Sequence, residues 1–197
     1  MKKTVIAILL STLVLGACNS TKENDNKSST KETSTEAVKK SSESKEEKSS
    51  GDFVKSADKA IFDGTTLKGN AYTVKITNHK VIQPGEKGNE HGEKPVIAFW
   101  YDTLVSPDYD NSKPIDPSLA WILNFKAIQD NDPNKINELQ MSGLPDDQFL
   151  DSQTAEIKPG GTVSSAVAYE LSDETTPVTL IAKSFNKEFG KTTINLK

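Results

Sequence analysis

Residues 94–102 read Lys-Pro-Val-Ile-Ala-Phe-Trp-Tyr-Asp, and the apolar run carries on to Leu104. On an extended chain Ile97, Phe99 and Tyr101 fall on one side and Val96, Ala98 and Trp100 on the other. Both sides are apolar, which is the pattern of a central strand covered on both faces. Upstream, Tyr72, Val74 and Ile76 alternate with Thr73, Lys75 and Thr77, as in a half-buried strand, and Ile61 to Leu67 reads as a short first strand. The alternation changes phase near Asn78, because Val81 and Ile82 follow one another, so a bulge is expected there.

Downstream the same period returns in Leu119, Trp121, Leu123, Phe125 and Ala127, read as one strand opposite Asn124 and Lys126. It returns again in Val163 to Leu171, in Val178, Leu180 and Ala182, and in Ile194 and Leu196. Only Asn134 to Leu139, after Pro133, reads as a short helix. About seven strands with no long helical period predict an all-β, antiparallel β-sandwich. A parallel sheet would need crossover helices, which the pattern does not supply. Trp100, Trp121, Phe99, Phe125 and Tyr169 are the large pieces expected in its core.

The predicted domain spans residues 53–197 and carries 15 Lys against 20 Asp and Glu. All 24 basic residues of the chain are lysines. Without arginine forks and with a net negative charge, the domain is a poor partner for nucleic acid or anionic headgroups. One cysteine among 197 residues excludes a disulfide framework and a Cys-cluster zinc site.

Residues 1–17 read as a signal segment, with Lys2 and Lys3 before an apolar run from Val5 to Leu15. That run is too short for the ~20 residues of a membrane span. Leu15-Gly16-Ala17-Cys18 resembles a bacterial lipobox, which implies diacylglyceryl attachment at Cys18 and cleavage before it. Two acyl chains hold stably to a bilayer where one binds only marginally. The expected location is therefore the cell membrane, lipid-anchored on its extracytoplasmic face. Residues 18–52 follow as the lipidated Cys and a linker rich in Ser, Lys and Glu, with Ala37 and Val38 as its aliphatic side chains after Cys18. So little apolar surface cannot offset ordering entropy, and disorder is expected. A flexible chain of this length has an r.m.s. span of about 30–35 Å.

No catalytic residues emerge. His79 and His91 do not match the helical metal pair, Ser164 and Ser165 sit in a strand pattern without a nucleophile elbow, and no phosphate loop occurs. Two acidic loops come nearest to a metal site: Asp108 and Asp110, with Asp116 beyond, and Asp130 and Asp132 with Glu138. Both lack the Gly and Glu that complete an EF-hand loop, so polar turns explain them better. Asp146-Asp147 and Asp173-Glu174 read as solvated connections. No cofactor is expected.

Four stretches together carry a resemblance: Phe62 to Leu67, Tyr72 to Ile82, Lys94 to Asp102, and Ile157 to Asp173 with its Pro159-Gly160-Gly161. They resemble the DUF5067 family of lipoprotein domains from Gram-positive bacteria, over about residues 61–182. The resemblance implies an immunoglobulin-like sandwich and brings no catalytic or binding residues with it. Leu104-Val105-Ser106-Pro107 departs from the turn usual after the central strand in such domains.

The expectation is a non-catalytic binding or structural module, with contacts made by the long connections 83–94, 105–117 and 129–154. Tyr109, Met141, Leu144 and Phe149 are the contact candidates, and the partner would be an envelope protein, a wall polymer or a secreted peptide. The alternative is a small-ligand or metal-binding lipoprotein serving a transporter, which would need a pocket lined by Asp130, Asp132 and Glu138.

Overall fold

The computed structural model describes residues 51–196; the signal segment, Cys18 and most of the linker lie outside the described residues. Eight strands run β1 (Ile61–Phe62), β2 (Thr66–Lys68), β3 (Tyr72–Ile82), β4 (Val96–Val105), β5 (Phe125–Gln129), β6 (Thr162–Glu170), β7 (Val178–Ser184) and β8 (Lys187–Ile194), with one helix, α1 (Pro117–Ile122). They form a five-stranded sheet, β1-β2-β3-β4-β6, and a three-stranded sheet, β5-β7-β8. Every pairing is antiparallel.

The main core lies between the sheets, where Ile97, Phe99, Tyr101 and Tyr169 of the larger meet Phe125, Val178 and Leu180 of the smaller. Trp121 from α1 stacks on Phe125 at 4.4 Å and tilts against Tyr101 at 4.6 Å. Its indole Nε1 donates to the Tyr169 hydroxyl at 2.7 Å, so the buried polar handle is satisfied. Burial pushes the Tyr101 phenol up to about 12 and raises that of Tyr169 as well. Opposite β4's inner face, Val96 and Ala98 pack with Ile82 and Ala168 in a second cluster. The central-strand reading holds, for β4 is paired on both edges and covered on both faces.

The order β3-β4-β6 facing β5-β7-β8 is that of strands A-B-E facing C-F-G in an immunoglobulin sandwich. Residues 137–142 stand where strand D would be. Glu138 bridges to Ile128 of β5, and Met141 bridges to Tyr169 of β6, so one short segment ties the edges of the two sheets together. At the other side β8 comes against β1. A Cβ on Gly190, at φ +147°, would sit 2.3 Å from the Phe62 carbonyl oxygen, so only glycine admits that approach.

The bulge expected near Asn78 is present: the β3–β4 register shifts between Ile76 and Asn78. It moves the inward phase from Val74 and Ile76 to His79 and Val81, so that Val81 packs on the core while exposed His79 lies against Phe99 at its rim.

Three expectations are corrected. Leu119 to Ala127 is not one strand. Pro117 opens α1, Asp116 caps it by accepting from Leu119 N–H at 2.9 Å, and only from Phe125 does the chain extend. Pro at the first turn after a capping Asp is a helix start, and Ala120 and Trp121 bury while Leu119 and Ile122 face water. Asn134 to Leu139 forms no helix, because Gln129 and Leu139 donate to the Asn137 and Ala127 carbonyls and draw the segment out along β5. Ile61 to Leu67 divides into β1 and β2. The Asp63 carboxylate accepts from Thr65 and Thr66 N–H, and Gly64 turns at φ +106°.

Candidate functional site

Of the three long connections, two meet at one end of the sandwich and one lies at the other. The chain enters at Gly51, whose carbonyl accepts from the Lys68 ammonium, and Val54 N–H bonds the Gly69 carbonyl. This entry end also holds the 105–117 connection, since Ser106 N–H donates to Ala71 O. From there β3 runs eleven residues to Ile82, a span of about 30–35 Å at ~3.3 Å per residue. At that far end the 83–95 loop meets residues 142–147.

The far-end loop is built on Asn89, which is 6% exposed. Its Nδ2 donates to the carbonyls of Ile82 at 3.2 Å and Lys94 at 2.9 Å, closing the loop across its base. Gly88, at φ +91°, lies against the second loop: a Cβ there would be 2.3 Å from the Pro145 carbonyl oxygen. The second loop is held from beneath by the Trp100 indole, which donates to Asp146 Oδ2 at 3.0 Å. Between them is an open cleft of about 830 Å³, walled by residues 88–94 and 142–144, with Asp147 and Glu170.

Glu90, Glu93, Asp147 and Glu170 face this cleft along with His91 and Lys94. Lys94 pairs with Glu170 at 3.4 Å, leaving an excess of carboxylates. The Gly88 N–H donates to Glu90 and holds its carboxyl below the ordinary range. At neutral pH such a cleft favours cationic groups and offers acceptors to hydroxyls and amines.

Asp132 accepts from the N–H groups of Asn134 and Lys135, and Glu138 pairs with Lys126 at 3.5 Å. Asp110 accepts from Ser112 N–H in a turn, Asp108 is exposed beside it, and Asp116 caps α1. Among the described residues no group of three His, Cys, Asp or Glu side chains converges as a metal site would require. Ser165 is buried within β6, and Ser164 donates to Asp102.

Tyr109 sits half-buried at the entry end, where its hydroxyl donates to the Lys113 carbonyl at 2.9 Å. Met141 and Leu144 border a smaller groove of about 160 Å³ with Trp121 and Ile122. Leu144 also borders the larger cleft, and Phe149 is half-buried in a single 3-10 turn. Contact candidates that the sequence places together are thus divided between the two ends and the flank.

Sequence reasoning passed over Asn89 and Glu170, and it read Asp146 as a solvated connection where the Trp100 indole in fact holds it. The stretch 85–92, with Gly85, Gly88, Asn89 and Gly92, carried the usable signal, since glycines around one Asn mark a loop folded on an Asn side chain. Asp173, read as solvated, organises a turn. It accepts from Thr175, Thr176 and Asn131, and these donors hold its carboxyl well below 3.8. Buried Gln129 satisfies both ends of its amide on the same turn, donating to the carbonyls of Asp173 and Thr176 and accepting from Ser172 N–H.

The family model described as Domain of unknown function (DUF5067) matches residues 17–184. The chain belongs to the DUF5067 family. A solved structure from Staphylococcus aureus subsp. aureus NCTC 8325, which carries a provisional lipoprotein designation, shares the fold at a TM-score of 0.58 and 20% identity, over 70% of this chain and 92% of that one. No curated protein matches the sequence. The DUF5067 match bears out the family resemblance and supplies no catalytic residues, so the cleft's own chemistry must speak for the domain.

Proposed function

We propose that this DUF5067 chain is a membrane-anchored, extracytoplasmic lipoprotein whose sandwich is a non-catalytic binding module. The observation that carries this is the placement of the acidic cleft at the opposite end of β3 from Gly51. A domain tethered through the residues before Gly51 presents that cleft away from its anchor. The cleft gathers carboxylates and one histidine with no nucleophile in a hydrogen-bonded pair, which suits recognition rather than bond cleavage. The fitting partner is an envelope protein with a basic face or an amine-bearing wall polymer.

Anchoring is tested by fractionation. The native chain is expected in the membrane fraction, and Cys18→Ser protein in the soluble fraction; persistence of Cys18→Ser on the membrane overturns the anchor. Recognition is tested with lipid-anchored protein and poly-lysine as the cationic probe. Wild type is expected to bind it, and Glu90→Gln/Glu93→Gln to bind several-fold less, because two of the cleft's carboxylates lose their charge. Equal binding by both proteins removes the cleft from the reading.

A further inference from the structure

Phe185 is 93% exposed, the most exposed large apolar side chain among the described residues, and its backbone lies at φ +48°. A bulky residue in the left-handed region crowds its Cβ against the backbone, and hairpin turns normally place Asn or Gly there. Phe185 therefore combines a strained backbone with an aromatic ring left in water, and nothing inside the fold offsets either cost. Such an outlier points towards function.

Its position in the fold indicates what the ring meets. Phe185 tips the β7–β8 hairpin, beyond the Ser184–Lys187 pair. That tip lies at the entry end: Ser184 shares a cleft with Gly69 and Asn70, and the Lys187 ammonium donates to the Asp58 carbonyl. Leu123, 64% exposed, belongs to the same end, since the next carbonyl, of Asn124, accepts from Lys183 N–H. Lys55, Lys59, Lys68, Lys113, Lys183 and Lys187 lie on the segments that form this end, against Asp52, Asp58, Asp108, Asp110, Asp116 and Glu188, so its charges balance. The far end is strongly acidic. Segments 83–95, 130–138, 140–147 and 170–174 hold eleven carboxylates and three lysines.

We propose that Phe185, with Leu123 on the same end, seats the entry end of the domain on the bilayer surface and so turns the acidic cleft outward. The inference rests on the lipid-anchor reading above, which puts this end nearest the membrane. An exposed aromatic ring on an end whose charges balance, with the acidic surface gathered at the far end, is the composition of an interfacial contact. The tether holds the domain at high local concentration, so a contact of one or two side chains suffices. The far-end carboxylates stand about 30 Å away, well beyond the ~8–10 Å Debye length, and do not oppose the approach.

The test uses the Phe185→Trp chain, whose added indole is read against the emission of wild type. The probe is a vesicle of phosphatidylcholine and phosphatidylglycerol in equal parts, with acyl chains brominated or not. The lipidated protein is reconstituted in these vesicles, and the chain from residue 18 carrying Cys18→Ser is mixed with them at high lipid. The added emission is expected to shift to the blue and to fall about twofold with bromolipid, as for a ring about 5–10 Å into the interface. Phe185→Ser is expected to abolish flotation of the Cys18→Ser chain while leaving lipidated protein on the vesicles. Emission insensitive to bromolipid in both preparations overturns the proposal, as does a blue shift that follows protein concentration without lipid, which would mark a second copy as the occupant. The Cys18→Ser arm needs no lipidation, so failure of the anchor and failure of the hairpin contact are read separately.

Discussion

Trp121 joins both sheets. It touches Phe99, Tyr101 and Phe125 from a one-and-a-half-turn helix and gives its indole N–H to Tyr169. Trp121→Ala is expected to cost about 3–5 kcal/mol, since it opens a cavity and leaves the Tyr169 hydroxyl without its donor; the urea midpoint measures it. Asp173 gives a prediction with a pH signature. Its carboxyl lies below the ordinary 3.8 because the Thr176 N–H, then Asn131, then Thr175 favour the charged form. The stability it contributes is complete above that ordinary value and is lost as pH falls towards the lower folded one. Asp173→Asn should lower the denaturation midpoint at pH 7 and flatten the further loss on going from about pH 4 to pH 2. An unchanged acid slope would assign the turn's order to Gln129 alone.

Short elements show how local chemistry and tertiary pull divide the work. Six-residue α1 has no length to be stable alone, yet a capping Asp116 and Pro117 start it and Trp121 pins it. Asp116→Ala is expected to cost about 1 kcal/mol, read as a fall in thermal midpoint, with the sandwich intact. The alternation Leu119, Trp121, Leu123, Phe125 mimics a strand although Leu119 and Trp121 belong to a helix, which Leu123 caps, and whose outer side carries Leu119 and Ile122 in water. The helical signal was Asp116-Pro117, which outweighs period two over so few residues. Strand β8 escaped the same pattern reading until its last residues, since Lys187 to Thr193 holds few apolar positions and lies at the edge of its sheet. Edge strands owe their existence to the partner's ladder more than to their own burial.

Closure of the sandwich depends on two unlike seams. On one side residues 137–142 bridge β5 to β6; on the other Gly190 lets β8 approach Phe62. Gly190→Ala is expected to destabilise the domain by about 1–3 kcal/mol, because the new Cβ would meet a backbone oxygen that cannot swing aside. Hydrogen exchange should rise at β1 and β8 and stay unchanged at β4, which is paired on both edges. Uniform acceleration across all strands would instead mean that this seam is part of the global unfolding unit.

Period-two alternation around Ile97, Phe99 and Tyr101, the phase slip near Asn78 and the core position of Trp121 could all be read from the residues, because each reflects local geometry or the burial of one side chain. The entry-end position of Tyr109 and the cleft between Gly88 and Pro145 could not. Neither could the exposure of Phe185, which on its face reads as one more core aromatic between Ala182 and Phe189. These arise from contacts between residues tens of positions apart, set by strand register and by which loops share an end. A single chain carries no local mark of such meetings; they come into being only when the two sheets close on their common core.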